Sequence, residues 1–600
     1  MSFNARFQEG GLYNSKMPRS DRLTYARYIQ SLVSRLDNLK EATATSAPPP
    51  RCAEQNQGSG HFPTLATQNS TSGAGSSSLP EPFLPSGSDV DSDLHFILPT
   101  ATGTTTRFYG SSSVFSLTVE VLTAARERSL YTPSPALESV SPTEESFGGL
   151  ANFYELPTTG VLNETVRSLL KLYLSSVGIV YPFVDKSLLD MDTMAYFDIR
   201  SRPDFDVAKL QGRPAYQYFR VTMMCAISCA SKLRHQPSLL VYANAFYQEA
   251  VKLVEAVTHE VSVDSLQALL FLSVYCLFFP RKGNIWKLLN FACRLSIQLN
   301  CHVETHNNLE LDREQVARRD IFWTLFSIER LLGQHYGRPS DLPCSIISTE
   351  HPTRFPPVYL APPDGNDAEV QAFCARHISR LMYLRGELYT DMYLQIDPQE
   401  PVRSLDWFVH KYFELHQWFQ EVEPFHESLG CGTIACRVSF HSAVLFLFQP
   451  LILRALSGPT SSAGPTKPEP IPSESFYSAC ELIRIHDRIL RAPENSSLGI
   501  YPMTFLSAHS IWLAAMALMA HCLLTIDGHV ETLSRLSDTA PSPRTEKLSY
   551  GQNDIFGVSN MCLILLGWCG EKWPGMGGMT DAYRRLSQQV LPLLVQNGHV

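Results

Sequence analysis

Between Ser262 and Ser340 the apolar positions keep the period of an α-helix through three successive runs. Leu266, Leu269, Leu270, Val274 and Leu277 step by three and four residues, the spacing that places side chains on one helix face. Pro280 and Gly283 then break the chain. Trp286, Leu289, Cys293 and Ile297 restart the period as the apolar face of a second helix. Asn300 suits the end of that helix, because Asn tolerates the left-handed conformation wanted there. Asp312, Arg313, Glu314, Arg318 and Arg319 form a solvated first turn and flank. Ile321, Phe322, Leu325, Ile328 and Leu332 make the buried face of the third helix, with Trp323 to one side. Gly337 and Pro339 stop it.

The rest of the chain divides by the same criteria. Residues 1–20 are a polar, disordered tail. Over residues 21–42, Ile29, Leu32, Leu36 and Leu39 fall at 3-4-3 spacing, the seam of a short coiled coil. Isolated helices of about two heptads are marginal in water, so the segment reads either as a dimerisation helix or as an amphipathic helix that docks elsewhere. Residues 43–106 are rich in Ser, Thr, Gly and Pro, and such a segment buries too little apolar surface to offset its ordering entropy, giving a disordered linker. Residues 107–155 form a lead-in, partly disordered. Helix follows helix from 156 to 590, beginning with Leu162, Val166, Leu169, Leu170 and Tyr173 on one face. Aromatic pairs at Trp407-Phe408, Tyr412-Phe413 and Trp418-Phe419 read as helix core and interhelix contacts. Polar stretches at 457–475 and 534–552 read as surface loops. With no repeat and no alternating strand series, the expected fold is all-α, a large helical domain behind a linker and a short N-terminal helix.

Composition narrows the partners. A formal net charge of -9 over 600 residues gives no general attraction to nucleic acid or an anionic membrane. Fourteen cysteines form no framework, and the N-terminus lacks an apolar leader, so a reducing compartment is expected. Residues 498–526 carry no Asp, Glu, Lys or Arg and are long enough to span a bilayer. His509, Ser510 and His521 interrupt them and no basic cluster flanks them, so a buried core helix is expected rather than a membrane anchor.

No catalytic or metal-binding constellation emerges. His259-Glu260 lacks the second His at zinc-ligand spacing, Val263 standing there. Neither a Gly-x-Ser-x-Gly elbow nor a phosphate-cradling glycine loop is present. Cys225 and Cys229 fit the apolar face of a helix better than a metal pair, and Cys431 and Cys436 have no His partners at ligand spacing. Lys16, Arg19, Arg22 and Arg27 are too sparse to neutralise many phosphates. Arg294, Arg318, Arg319 and Arg338 are expected as buried structural arginines, bonding helix-end carbonyls and carboxylates such as Glu329. The reading is therefore not an enzyme, with no cofactor.

The order of these elements resembles the middle homology domain of fungal zinc-cluster transcription factors. The residues that carry it are Leu266-Gln267-Ala268-Leu269-Leu270, Trp286, Ala292-Cys293-Arg294, His302, Glu314 to Arg318-Arg319, Phe322-Trp323 and Gly337-Arg338-Pro339-Ser340. Tyr109-Gly110-Ser111-Ser112 and Tyr181-Pro182-Phe183 resemble elements ahead of and opening the domain, and Tyr28 to Leu36 resembles its coiled coil. Asn290, Ser296 and Asn300 depart from small residues usual there. The resemblance implies structural roles for Trp286, Arg294, Arg318, Arg319, Trp323, Gly337, Arg338 and Pro339. It also implies a nuclear regulator, of a metabolic or secondary-metabolite gene cluster. Implied partners are a second transcription factor as homo- or heterodimer, coactivators or transcription machinery, and a small-molecule effector. DNA binding in that family rests on six clustered cysteines holding zinc; before residue 200 this sequence has only Cys52. The expectation is a member lacking the zinc cluster, or a co-regulator that dimerises with a zinc-cluster factor, with an all-α enzyme or membrane-associated protein as the lesser alternative.

Overall fold

The computed structural model describes residues 110–131, 158–203, 205–304, 313–352, 367–394, 403–422, 430–457, 471–528, 530–531, 552–573 and 576–596. The chain divides into two compact units, Met1–Leu84 and Pro85–Val600. Every described residue lies in the second. The expected dimerisation helix with Ile29, Leu32, Leu36 and Leu39, the linker, and most of the loops at 457–475 and 534–552 fall outside the described residues.

The elements among the described residues are helices, mostly α with short 3-10 and π turns, except for one two-residue parallel pair, β1 (Ile471–Pro472) with β2 (Val530–Glu531). A first group of helices packs around α5 (Gly212–Lys232): α2 (Asn163–Ser175), α4 (Lys186–Arg200), α6 (Leu240–Val251) and α8 (Val263–Phe278), the last also holding α9 (Ile285–Gln298). Short α3 (Val177–Val180) and α7 (Val254–Thr258) complete it. A second group packs around α13 (Cys431–Ser457) and α15 (Phe505–Ile526): α11 (Asp367–Tyr389), α12 (Leu405–Val422), α14 (Ser473–Arg491), α16 (Gln552–Lys572) and α17 (Gly577–Gln596). The long α10 (Arg313–Tyr336) contacts α8 and α9 on one side and α11 and α15 on the other.

Central helices are apolar all round, as full burial demands. In α8 every residue from Ser265 to Phe278 is buried. In α15 all from Phe505 to Leu524 are. By length and composition α13 and α15 are apolar enough to cross a bilayer, yet 78% and 89% of their most apolar windows are covered by protein. The uncharged segment is thus a core helix.

Several side chains lie elsewhere than the periodicity predicts. Leu162 is 72% exposed, because it precedes the first turn of α2 instead of joining its face. On α9 the buried face is Leu288, Leu289, Ala292, Cys293, Leu295 and Ser296, so Ile297 is exposed and Trp286 half-buried. Phe413 is exposed while Phe408 and Trp418 are buried. Trp323 is not to one side: it is buried, donates from Nε1 to the Glu350 carbonyl at 2.8 Å and stacks on His351 at 4.2 Å. The lead-in holds an unexpected helix, α1 (Val114–Glu127), capped by Ser113, whose hydroxyl accepts from Ser116 N at 3.1 Å.

Candidate functional site

Trp286, Gly337 and Arg338 of the sequence pattern meet at the C-terminal end of α10. There the helix stops in a Schellman turn: Arg338 N donates to Gly333 O at 2.8 Å and Gly337 N to Gln334 O at 3.2 Å. Gly337 sits at φ +67, a conformation a Cβ disfavours. Asn300 does the same after α9, at φ +55, with Cys301 N donating to Ser296 O at 2.9 Å.

The glycine at 337 has a second reason. The backbone of Gly110 lies directly on it: a Cβ at Gly337 would come within 2.5 Å of Gly110 N and O, and one at Gly110 within 2.1 Å of Gly337 O. Gly110 N donates to Tyr336 O at 3.4 Å. The Tyr-Gly-x-Ser and Gly-Arg-Pro elements thus meet backbone to backbone. From this junction α1 runs against α13, α15 and α10. Gln449 donates to the Ser113 carbonyl at 2.8 Å and Trp512 Nε1 to Thr118 Oγ1 at 2.9 Å. Arg338 covers the junction, its guanidinium 4.6 Å from the Trp286 ring, which in turn meets Tyr336 edge-on at 5.3 Å. Pro339 is exposed.

The loop after α10 is tied back by Glu329 and Arg330. Glu329 accepts from Ser340 Oγ at 2.7 Å and Asp341 N at 3.0 Å. Burial pushes its carboxyl above the usual range, against the pull of Arg330. Arg330 donates to the Leu342 carbonyl at 2.9 Å and lies 4.7 Å from the Phe326 ring centroid. So Glu329 holds the turn, not the four predicted arginines.

Those arginines separate. Arg319 is buried and meets Glu304 (2.7 Å) and Glu350 (3.3 Å). Arg318 is half-buried, 3.6 Å from exposed Glu314 on its own helix. Arg294 is exposed, since it points off the outer face of α9. Glu304 also accepts from Gln315 and from Glu350 N at 2.9 Å. Burial alone would raise its carboxyl, but Arg319 and these N–H donors hold it below the usual range. Ser348 N and Thr349 N donate to His302 O at 2.9 and 3.1 Å, closing the same clasp. Removing one partner of a buried pair leaves the other uncompensated, typically about 3–5 kcal/mol. Arg319→Met is therefore expected to lower the unfolding free energy by about 3 kcal/mol in urea melts followed by circular dichroism, with Arg294→Met within about 0.5 kcal/mol of the parent.

Nothing in this arrangement offers a reacting group. Among the described residues no three His, Cys, Asp or Glu side chains gather as metal ligands. Cys225 and Cys229 are buried in α5, their thiols pushed up by burial, Cys229 to about 12. A cleft between α11 and α12, lined by Leu384, Glu387, Leu388, Lys411, Glu414 and Leu415, has an interior volume of only about 10 Å³, far smaller than a ligand pocket. Sequence reasoning did not single out α1, Gln449, Glu304 or Arg330.

Fold and site define an all-α domain built around helix ends and buried ion pairs. Residues 170–358 match the fungal specific transcription factor domain. Curated relatives match parts of the chain at low identity. "Pyrimidine pathway regulatory protein 1" of Saccharomyces cerevisiae is 24% identical over 209 residues, 31% of this chain and 23% of that one. "Transcription factor FBD3" of Gibberella moniliformis is 23% identical over 269 residues, 42% and 34%. "Positive regulator of purine utilization" of Emericella nidulans is 21% identical over 333 residues, 43% and 30%. The chain thus spans between about a quarter and a third of the length of the curated relatives it matches.

Proposed function

We propose that this protein is a fungal-type transcriptional regulator, not an enzyme, acting in the nucleus with no cofactor in its helical domain. The observation that carries the reading is the domain match over 170–358, whose Gly-Arg-Pro element is the one seated on Gly110. Relatives named for pyrimidine, purine and transcription control favour a metabolic or secondary-metabolite gene cluster as target. In this reading the helical domain carries regulation and contacts with coactivators or an effector, and Ile29, Leu32, Leu36 and Leu39 pair it with a second transcription factor. Deleting the gene should change a coherent set of transcripts; an unchanged transcriptome across nutrient conditions would refute it.

A second reading follows from the lack of clustered cysteines in the sequence: a co-regulator that reaches DNA only through a zinc-cluster partner. Gel-shift with the purified chain separates the two. Specific binding at physiological salt excludes the co-regulator, and binding only after a partner is added excludes direct contact.

A further inference from the structure

Helix α9 carries two cations and no acid, its sequence being IWKLLNFACRLSIQ. Its apolar side is buried against α8 and α10. Lys287 and Arg294 are exposed, and neither side chain has a partner among the described residues. Two helical turns separate them, so they share the outer face about 10 Å apart along the axis. Half-buried Phe291 lies between them, and Ile297 is 36% exposed on the flank. Arg281 and Lys282 add two more exposed cations in the turn before the helix. Asp341 meets the helix on the flank toward α10, its carboxylate accepting from Asn290 Nδ2 at 3.0 Å. A basic, partly apolar face thus stands open on a protein whose formal net charge is -9.

The same chain supplies a complement close by. Residues 89–98, DVDSDLHFIL, place Asp89, Asp91 and Asp93 ahead of Leu94, Phe96, Ile97 and Leu98, with no Lys or Arg among them. Gly110, where the described residues begin, is seated on Gly337, next to Arg338, whose guanidinium covers Trp286 in the first turn of α9. Residues 99–109 join the acidic segment to that point. A random-coil connection of such a length spans about 20 Å on average, matching the length of α9 itself, about 21 Å for its 14 residues. So short a tether gives an effective concentration of about a millimolar, at which contacts too weak to hold separate molecules are populated.

We propose that the outer face of α9 is the docking surface for residues 89–98 of the same chain. Asp89, Asp91 and Asp93 pair with Lys287 and Arg294, and the apolar residues that follow cover Phe291 and Ile297. Exposed ion pairs are individually weak and screened by salt, so the contact is reversible and is held by the tether. It is independent of the transcriptional reading.

The test is amide hydrogen exchange of the full chain at pH 7, read by mass spectrometry over residues 89–98 and 285–298. In low salt the amides of 89–98 should exchange at least about threefold more slowly than in a free peptide of the same sequence, and about 0.5 M sodium chloride should remove the difference. Lys287→Glu combined with Arg294→Glu should remove it as well. The melting midpoint should not move, because both side chains are exposed. Adding Asp91→Lys and Asp93→Lys to that variant should restore the protection, which a loss of helix structure would not allow. No protection in the parent, undiminished protection in the glutamate variant, or no rescue by the reversed pair overturns the proposal. Protection that grows with protein concentration assigns the face to a second copy. A duplex oligonucleotide that protects 285–298 while 89–98 stays unprotected assigns it to nucleic acid. Either result overturns docking within one chain.

Discussion

Lowering the pH from 7 to about 5 is expected to unfold the helical domain cooperatively, well before its carboxylates titrate. Burial holds the imidazoles of His351, His377, His486 and His509 down to about 4, and those of His441 and His521 to about 3. Arg380 and Arg376 add to the effect at His351 and His377, and Arg437 at His441. His335 is lowered as well, by burial and then by His509 and Arg385. In the unfolded chain each titrates near 6.5. Above pH 7 both states are neutral and the histidines do not affect stability. As the pH falls through 6.5 the unfolded chain takes up protons that the folded one refuses, so stability falls until the folded values are reached. Each histidine costs about 1.4 kcal/mol per pH unit in that window. Six of them at pH 5.5 would cost about 8 kcal/mol, and half of that after relaxation is still comparable to the whole stability of a typical domain. Glu120, Glu329 and Glu387, raised by burial, work in the opposite direction, but they are three groups against seven histidines. Urea midpoints by circular dichroism should be level from pH 8 to 7 and drop steeply below 6.5. Equal midpoints at pH 7 and 5.5 would refute this. His486→Leu should flatten the slope by about one proton's worth.

The features legible in the sequence are those that a single residue decides. Asn300 and Gly337 were readable as helix ends because a left-handed backbone selects Asn or Gly locally, and both are found there. The buried face of α10 was readable because Ile321, Phe322, Leu325, Ile328 and Leu332 are interspersed with polar positions that fix the phase. What sequence left undecided depends on partners far along the chain. Arg294 and Arg319 look alike in sequence; only the return of Glu304 and Glu350 beside α10 makes one buried and leaves the other exposed. The helix α1, VFSLTVEVLTAARE, is rich in β-branched residues and has weak helical propensity. It is helical because Val114, Phe115, Leu117, Val121 and Leu122 are buried by elements that begin about 190 or more residues later, α10, α13 and α15. Glycine at 110 marked a motif, but nothing in its neighbourhood said that its counterpart was Gly337.

That counterpart relation makes Gly337→Ala a strongly disruptive small substitution. An alanine in a left-handed conformation costs about 1 kcal/mol wherever it occurs. Gly212 measures that term alone, because it sits at φ +58 with nothing within 4 Å of an added Cβ. At Gly337 the same Cβ would lie 2.5 Å from Gly110 N and O, backbone atoms that cannot rotate aside. The junction must open, and α1 is anchored by it. Each large apolar side chain of α1 that loses cover forfeits about 1.5–3 kcal/mol, so partial detachment alone takes the loss to about 4 kcal/mol, in the range that marks a disrupted core. Gly110→Ala tests the contact from its other side, since Gly110 carries no positive-φ penalty while its Cβ would meet Gly337 O at 2.1 Å. Urea unfolding should therefore rank Gly337→Ala and Gly110→Ala together, several-fold more costly than Gly212→Ala. The double variant should cost little more than either single change, because α1 is displaced only once. Gly337→Ala no more costly than Gly212→Ala, or full additivity of the pair, would show that the two glycines do not seat α1 and that the junction can be remodelled without loosening the domain.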